Sequence, residues 1–456
     1  MRIVKMGAAA LAAVSLGACS LDLQNPNSPT EVAVTSSPDG IVALGTGLQA
    51  RYLASTFNFA YAAGLVTDEL AAGSSALISI SDAEQGLVPP GTGIADATFN
   101  SLYRTVRTAD DLLLGTERLA TAFDAGTRSG LRTLAFALKA DAIGQAMQAY
   151  QRVPVQTFGL DTTTYVARDS ALRTVRRLLD SATAALSVPP SGFFNAQVLG
   201  PQVSLPNTVN LFRARYARMA NDWPAALAAA NLVSRTVVSQ LTFVAPGVNP
   251  WVNVIGSTEF AWPRQSFRAA LETGDRRATF FLDTLVRQSG RIGTPLFGWA
   301  IFPQANPQAP LPVYWPDEAL LIKAEAQVQL NDLAGARASI DSVRTDCTRP
   351  GPQACLGAYT GPATAGDLLA EIYRQRRAEL FATGLRWEDT RRRTQIVGPI
   401  ALPATPAGGQ RCWLPYAIGD RNANGRVGGD GRFVSNVPAD PAEPAASPTS
   451  PATCTF

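Results

Sequence analysis

The 456-residue chain contains no histidine at all. That absence excludes Ser-His-Asp and Cys-His catalytic pairs, and it excludes histidine-ligated zinc or haem. Carboxylate chemistry stays open, because an Asp/Glu pair of the glycosidase kind has no signature that one sequence reveals. Lysine is nearly missing too. It occurs only at positions 5, 139 and 323, so arginine supplies the rest of the 39 basic residues, a bias of genome composition without functional meaning. The formal charge is +3, and it falls to about +1 once Arg2 and Lys5 leave with a cleaved leader. So balanced a body argues against a nucleic-acid partner. The five cysteines show no CxxC spacing, which gives no support to a thiolate metal site. Beyond the first residues no hydrophobic run approaches spanning length. What remains is a chain long enough to bury a large core, as one elongated domain or two.

The N-terminus carries an address. Arg2 and Lys5 form a short positive region, Met6 to Leu16 is small and apolar, and Leu16-Gly17-Ala18-Cys19 follows directly. The run is too short to cross a bilayer and reads as an export signal spanning 1–18. Small residues before a cysteine are what a lipoprotein signal peptidase requires, so Cys19 is the expected lipidation site. An ordinary secretory signal with an incidental cysteine is the competing reading. Each buried acyl CH₂ contributes about 0.8 kcal/mol, so several chains would anchor the protein firmly. Ser20, where an Asp would favour the inner membrane, leans towards the outer one. Residues 19–40, with Asn25-Pro26, are the expected tether between the lipidated cysteine and the body. With Cys19 lipidated, Cys347, Cys355, Cys412 and Cys454 are left. In an exported chain an even number favours two disulfides, Cys347 with Cys355 and Cys412 with Cys454, against reduced structural thiols.

Apolar periodicity predicts helices over Ile41–Asn58, Ala97–Ala122, Leu131–Tyr150, Asp169–Leu186, Val209–Met219, Pro224–Val237, Asp317–Leu330, Leu333–Thr345 and Ala365–Thr383. Two pairs carry a sharper sign. Asn221-Asp222 and Asn331-Asp332 each separate two helices, and alanines open the second helix of each pair. Asn-Asp permits a reversal and small residues permit close approach. The fold class expected is therefore all-α dominated, with tetratricopeptide-like helical pairs, long irregular loops and a single elongated domain. Generic antiparallel helix packing explains the pattern about as well. Residues 243–312 form a loop-rich insert holding Trp251, Trp262, Phe297, Trp299 and Phe302 among many prolines. That aromatic content argues for order. Residues 437–456 are a Pro/Ala-rich tail predicted to be flexible.

Leu368, Leu369, Ile372, Tyr373 and Leu380 recur at helical spacing, with Arg374, Arg376, Arg377 and Glu379 between them. Gly384 then allows a left-handed turn, and Arg386-Trp387-Glu388-Asp389 runs into Arg391-Arg392-Arg393. The order Glu379-Leu380, Gly384, Arg386-Trp387, Asp389 and Arg391-Arg392 resembles the C-terminal signature of the RagB/SusD family. Gln375, Ala382, Thr383 and Thr390 depart from it; the family usually has an acidic residue, Phe, Glu and Leu there. The Asn-Pro tether, the run Pro312-Val313-Tyr314-Trp315 into Glu325-Ala326, and Arg411, Trp413-Leu414-Pro415 and Arg421–Asn424 also look like the family. On this resemblance 41–436 is a SusD-like helical-repeat body, with its signature at 365–426.

The resemblance implies a surface lipoprotein that captures a nutrient, most often oligosaccharide, for a TonB-dependent outer-membrane transporter. It implies outer-membrane localisation facing the cell exterior, no catalysis and no cofactor. Glu379, Gly384, Arg386, Trp387 and Asp389 would then be structural, with Trp413 in the core, and Asp68 would border the ligand-binding face. Sugars stack on aromatic rings while polar side chains bond their hydroxyls, so Trp251, Trp299 and Phe302 are candidate ligand-binding residues. Core packing is the competing reading of each. Asp420, Asn422, Asn424 and Gly425 echo a calcium loop, but Gly431 stands where a bidentate carboxylate belongs, so no metal site is assigned. Two other functions compete: a helical-repeat assembly subunit without a small ligand, and a surface glycoside hydrolase.

Overall fold

The computed structural model describes residues 34–88, 91, 93–157, 164–302, 305–393 and 412–423. Cys19, the leader, the tether up to residue 33, Cys454 and the tail lie outside them. The described chain is predominantly helical, with paired helices and little sheet, and is elongated. Among the described residues no helix is long and apolar enough to cross a membrane.

Three long helices form the first half: α1 (Pro38–Val66), α2 (Gly93–Arg118) and α3 (Ala125–Ala149), each packed on the other two. The side chain of Ser37 caps α1 by accepting from the Gly40 amide, and Pro38 takes a first-turn position where its missing N–H costs nothing. Asp124 caps α3 the same way, accepting from the Thr127 amide at 2.8 Å. Helix α4 (Arg168–Ala185) lies on α3 and on α5 (Leu205–Met219). Close approach of α3 and α5 depends on Gly144, where a Cβ would stand 2.0 Å from the Tyr216 hydroxyl oxygen.

The two Asn-Asp reversals share one geometry. Helix α5 turns into α6 (Trp223–Ala230) at Asn221, φ 57°, and α7 (Asp317–Gln329) turns into α8 (Leu333–Arg344) at Asn331, φ 62°. Asparagine tolerates this left-handed conformation better than most residues. In each case the following aspartate caps the second helix: Asp222 accepts from the Ala225 amide at 3.2 Å and Asp332 from the Gly335 amide at 2.9 Å. Each cap is worth about 1 kcal/mol. The two pairs are stacked through α6 and α7, and α9 (Ala365–Glu379) closes on α7 and α8. Gly384, at φ 85°, starts α10 (Leu385–Arg392), which returns to α1.

Two expectations need correction. The helix predicted over Pro224–Val237 stops at Ala230, ahead of a polar Asn231 and the β-branched run Thr236-Val237-Val238. The 243–312 insert is not wholly irregular. Strand β1 (Leu70–Ala72) pairs antiparallel with β2 (Ala261–Pro263), and β3 (Leu282–Ser289) forms a hairpin with β4 (Pro295–Trp299). The register of that hairpin shifts between Asp283 and Arg287, a bulge that blurs the alternation a strand shows in sequence.

Cys347 and Cys355 are joined in a disulfide. Cys412 is disulfide-bonded as well, and Cys454, its expected partner, lies outside the described residues.

Candidate functional site

The signature block is buried and fully engaged in ion pairs. Asp389 accepts from Arg376 at 2.8 Å and from Arg218 at 2.9 Å, and Arg218 also donates to Glu325 at 2.5 Å. Glu388 pairs with Arg168 at 2.6 Å. Glu379 pairs with Arg277, which is itself held by Asp275 at 2.7 Å. The Arg391 guanidinium lies between two indoles, 4.8 Å from the Trp387 centroid and 4.7 Å from that of Trp413. Gly384 backs onto Phe59, where a Cβ would come within 2.5 Å of the ring. Removing any one charge here strands its partner away from water, a cost of about 3–5 kcal/mol. These side chains stabilise the scaffold and offer no surface to a ligand.

Asp68 belongs to the same lattice. It is 6% exposed, both its oxygens accept from Arg386, and Arg377 lies 2.7 Å away. Burial raises its carboxyl, but Arg386 and Arg377 outweigh burial and hold it at about 2. Asp68 thus faces inward, and its carboxylate has no free valence for a ligand. Its neighbour Glu69 is equally buried, without a side-chain hydrogen-bond partner for either carboxyl oxygen. Burial first, then the charge of Asp68, pushes that group up to about 8.

Trp251, Trp299 and Phe302 are brought together, but inside the protein. Their relative exposures are 1%, 7% and 5%. Trp251 lies 5.2 Å from Trp299 and 6.0 Å from Phe302, with Phe57 edge-on at 5.0 Å. The Trp299 indole donates to the Ala261 carbonyl at 3.2 Å. Trp251 and Phe302 border a cavity of about 50 Å³ whose polar end is formed by Asp141, Gln145, Gln148, Arg215 and Glu318. Such a space holds a water or two and no sugar ring. In this packing the three rings occupy one another's faces, so the insert's aromatic content went into its core.

Asp420, from the calcium-like run, accepts from the Tyr165 hydroxyl, and residues 424–431 of that run lie outside the described residues. Among the described residues no cluster of three or more Cys, Asp or Glu side chains is arranged to hold a metal.

The same insert builds an open groove of about 770 Å³. One wall is the short helix Gln265–Ala269, contributing Gln265, Ser266 and Arg268. The other is the end of the β3–β4 hairpin, contributing Ile292 to Pro295 and then Phe297. Local bonds fix both walls. Gln265 donates to the Leu296 carbonyl at 3.2 Å, and Arg264, at the groove's base, donates to the Leu70 carbonyl and to Glu84, both at 2.9 Å. Thr294 donates to Glu84 at 2.6 Å. The hairpin tip is tied down where the Arg291 amide donates to the Ala72 carbonyl and its guanidinium to that of Ala76. Amide, hydroxyl and guanidinium groups beside apolar Ile292 and Pro295, with buried Phe297 behind them, make a surface suited to a polyhydroxylated ligand. Sequence reasoning missed Gln265, Ser266, Arg268 and Thr294; the only pointers were Phe297 and the anomalous length of the insert.

A family model described as the SusD family matches residues 306–411. Among solved structures, a SusD superfamily protein from Bacteroides fragilis superposes with a TM-score of 0.64 at 16% identity, covering 86% of this chain and 99% of that one. A SusD-like carbohydrate binding protein from Bacteroides vulgatus gives 0.66 at 14% identity over 86% and 98%. Surface glycan-binding protein A from Bacteroides uniformis gives 0.64 at 14% identity over 84% and 99%. No curated protein sequence matches the chain. Identities this low establish a shared fold; the model match spans α7 to α10, whose Glu379, Gly384, Arg386, Trp387 and Asp389 form the lattice described above. Residues 306–411 thus match the SusD family's model, and the chain shares the fold of solved SusD superfamily proteins.

Proposed function

We propose that the protein is a non-catalytic, outer-membrane lipoprotein, anchored through Cys19 after loss of residues 1–18. On this reading it binds an oligosaccharide at the 264–297 groove and passes it to a TonB-dependent transporter. The observation that carries the reading is the groove itself: an open, polar and apolar cleft raised on a rigid helical scaffold. Solved proteins of the same fold are described as carbohydrate-binding or glycan-binding, which supports a saccharide as ligand. A glycosidase needs two carboxyl groups flanking the bond it cuts. Neither wall of the groove supplies one, which favours capture over hydrolysis.

Isothermal titration of the full mature chain against a panel of oligosaccharides tests the proposal. Binding that weakens at least several-fold in Gln265→Ala, with an unchanged melting temperature, supports capture at this groove. Failure to bind any member of the panel would favour the assembly-subunit alternative, and turnover of a bound glycan would favour the hydrolase.

A further inference from the structure

The groove carries positive charge that the protein does not balance. Every buried arginine among the described residues has a carboxylate within 4.0 Å: Arg215, Arg218, Arg264, Arg277, Arg344, Arg376, Arg386 and Arg391. Arg268 is only partly buried, and like the partly buried Arg128, Arg213, Arg337 and Arg392 it has no carboxylate of the described residues within 4.0 Å; what sets it apart is its place on the wall of an open groove. Arg287, exposed on β3 and outside the groove lining, also has no ion pair among the described residues. Its guanidinium sits 5.5 Å from the centroid of Phe297, and its Nε donates only to the Thr284 carbonyl, at 3.4 Å. Arg291, at the hairpin tip, donates to the Ala76 carbonyl and likewise has no acidic partner. Glu84 is the nearby acid, and it is spent behind the groove on Arg264, Thr294 and the Ala72 amide. No Asp or Glu lines the groove.

We propose that the groove takes an anionic saccharide, one bearing a carboxylate or a sulfate, with the charged group against Arg268 and the sugar body against Ile292 and Pro295. This rests on the reading of the groove as the ligand site. A guanidinium presents its N–H groups in a planar fork that matches either anion, and bonds of this charge-assisted kind are about twice as strong as neutral ones. Partial burial of Arg268 limits competition from water, so losing its charge costs roughly tenfold in affinity or more.

The test titrates the mature protein with three probes of similar length: oligogalacturonate, a κ-carrageenan oligosaccharide (sulfated, without carboxylate) and a neutral galacto-oligosaccharide. At about 50 mM NaCl one acidic probe binds at least about tenfold tighter than the neutral one, and the margin collapses at about 0.5 M NaCl as screening shortens. Arg268→Gln abolishes the preference without altering the circular dichroism spectrum, while Arg268→Lys retains part of it. Whichever acidic probe wins identifies carboxylate or sulfate as the recognised group. Equal affinity for the neutral probe, or a preference that survives Arg268→Gln, overturns the proposal and leaves the groove standing as a saccharide site. Absence of binding to all three overturns both.

Discussion

Arg386 holds Asp68 by two hydrogen bonds, 2.9 and 3.1 Å long, across a separation of 318 residues. That one pair fastens the end of α1 to the start of α10. Asp68→Ala leaves Arg386 and Arg377 buried without their counter-charge and should cost about 3–5 kcal/mol in urea unfolding. The wild-type pair also has an acid limit. The folded-state pKa of about 2 lies below the unfolded value, so the stability it brings is present above about pH 4 and is lost as pH falls towards 2. Its size is roughly 2 kcal/mol. An acid-unfolding midpoint that does not move in Asp68→Asn would contradict this.

Glu69 acts in the opposite direction. Its folded-state pKa of about 8 lies above the unfolded value, so the folded form keeps a proton that the unfolded form has released. Stability therefore declines as pH rises from about 4.5, and the decline levels off above about 8, where the folded form ionises too. Glu69→Gln removes this dependence. Its advantage over wild type should be small near pH 4.5 and grow to roughly several kcal/mol near pH 8.5. Urea titrations at the two pH values measure it, and an equal difference at both would dismiss the buried-acid account.

Gly384→Ala combines a disfavoured backbone with a collision. At φ 85° a Cβ is strained, and it would sit 2.5 Å from the Phe59 ring. The expected loss is about 1–3 kcal/mol. Adding Phe59→Leu should restore part of it by opening space. Complete restoration would mean that the backbone contributes nothing.

Trp251 and Gln265 separate core from site. Trp251→Ala empties the aromatic cluster and should lower stability by about 3–5 kcal/mol, read by calorimetry. At low temperature, where the variant stays folded, its ligand affinity should match wild type. Gln265→Ala should do the reverse: an unmoved melting temperature and a several-fold weaker ligand. If Trp251→Ala abolishes binding in protein shown to be folded, the site lies at the aromatic cluster and not at the groove.

What could be read from sequence was local. Asn221-Asp222 and Asn331-Asp332 announced their reversals because both the left-handed turn and the cap are made within four residues. Gly384 announced its turn for the same reason. The hairpin at 282–299 did not, because its pairing is interrupted by a bulge and its turn lies against residues 72–76, more than two hundred positions away. Nor does sequence tell a tryptophan that packs on other rings from one that awaits a sugar. Trp251 and Trp299 differ from an open platform only in what long-range folding brings over their faces. That Asp389 is structural came only through the family resemblance; its partner Arg218, like Arg168 opposite Glu388, stands far off in the chain and cannot be read locally. The groove residues share this limit: Arg268 reads as any surface arginine until its surroundings are assembled.

Between the two walls of the groove the chain dips back into the interior, where Arg277 joins Asp275, Gln375 and Glu379. Arg277 thus ties the stretch between the two walls to α9. The gap between the walls is held by the Gln265 bond to the Leu296 carbonyl and by Glu84, which accepts from both Arg264 and Thr294. On the proposed reading, replacements at Arg268 or Ile292, which carry none of these bonds, change what the groove accepts and leave the bonds between its walls in place.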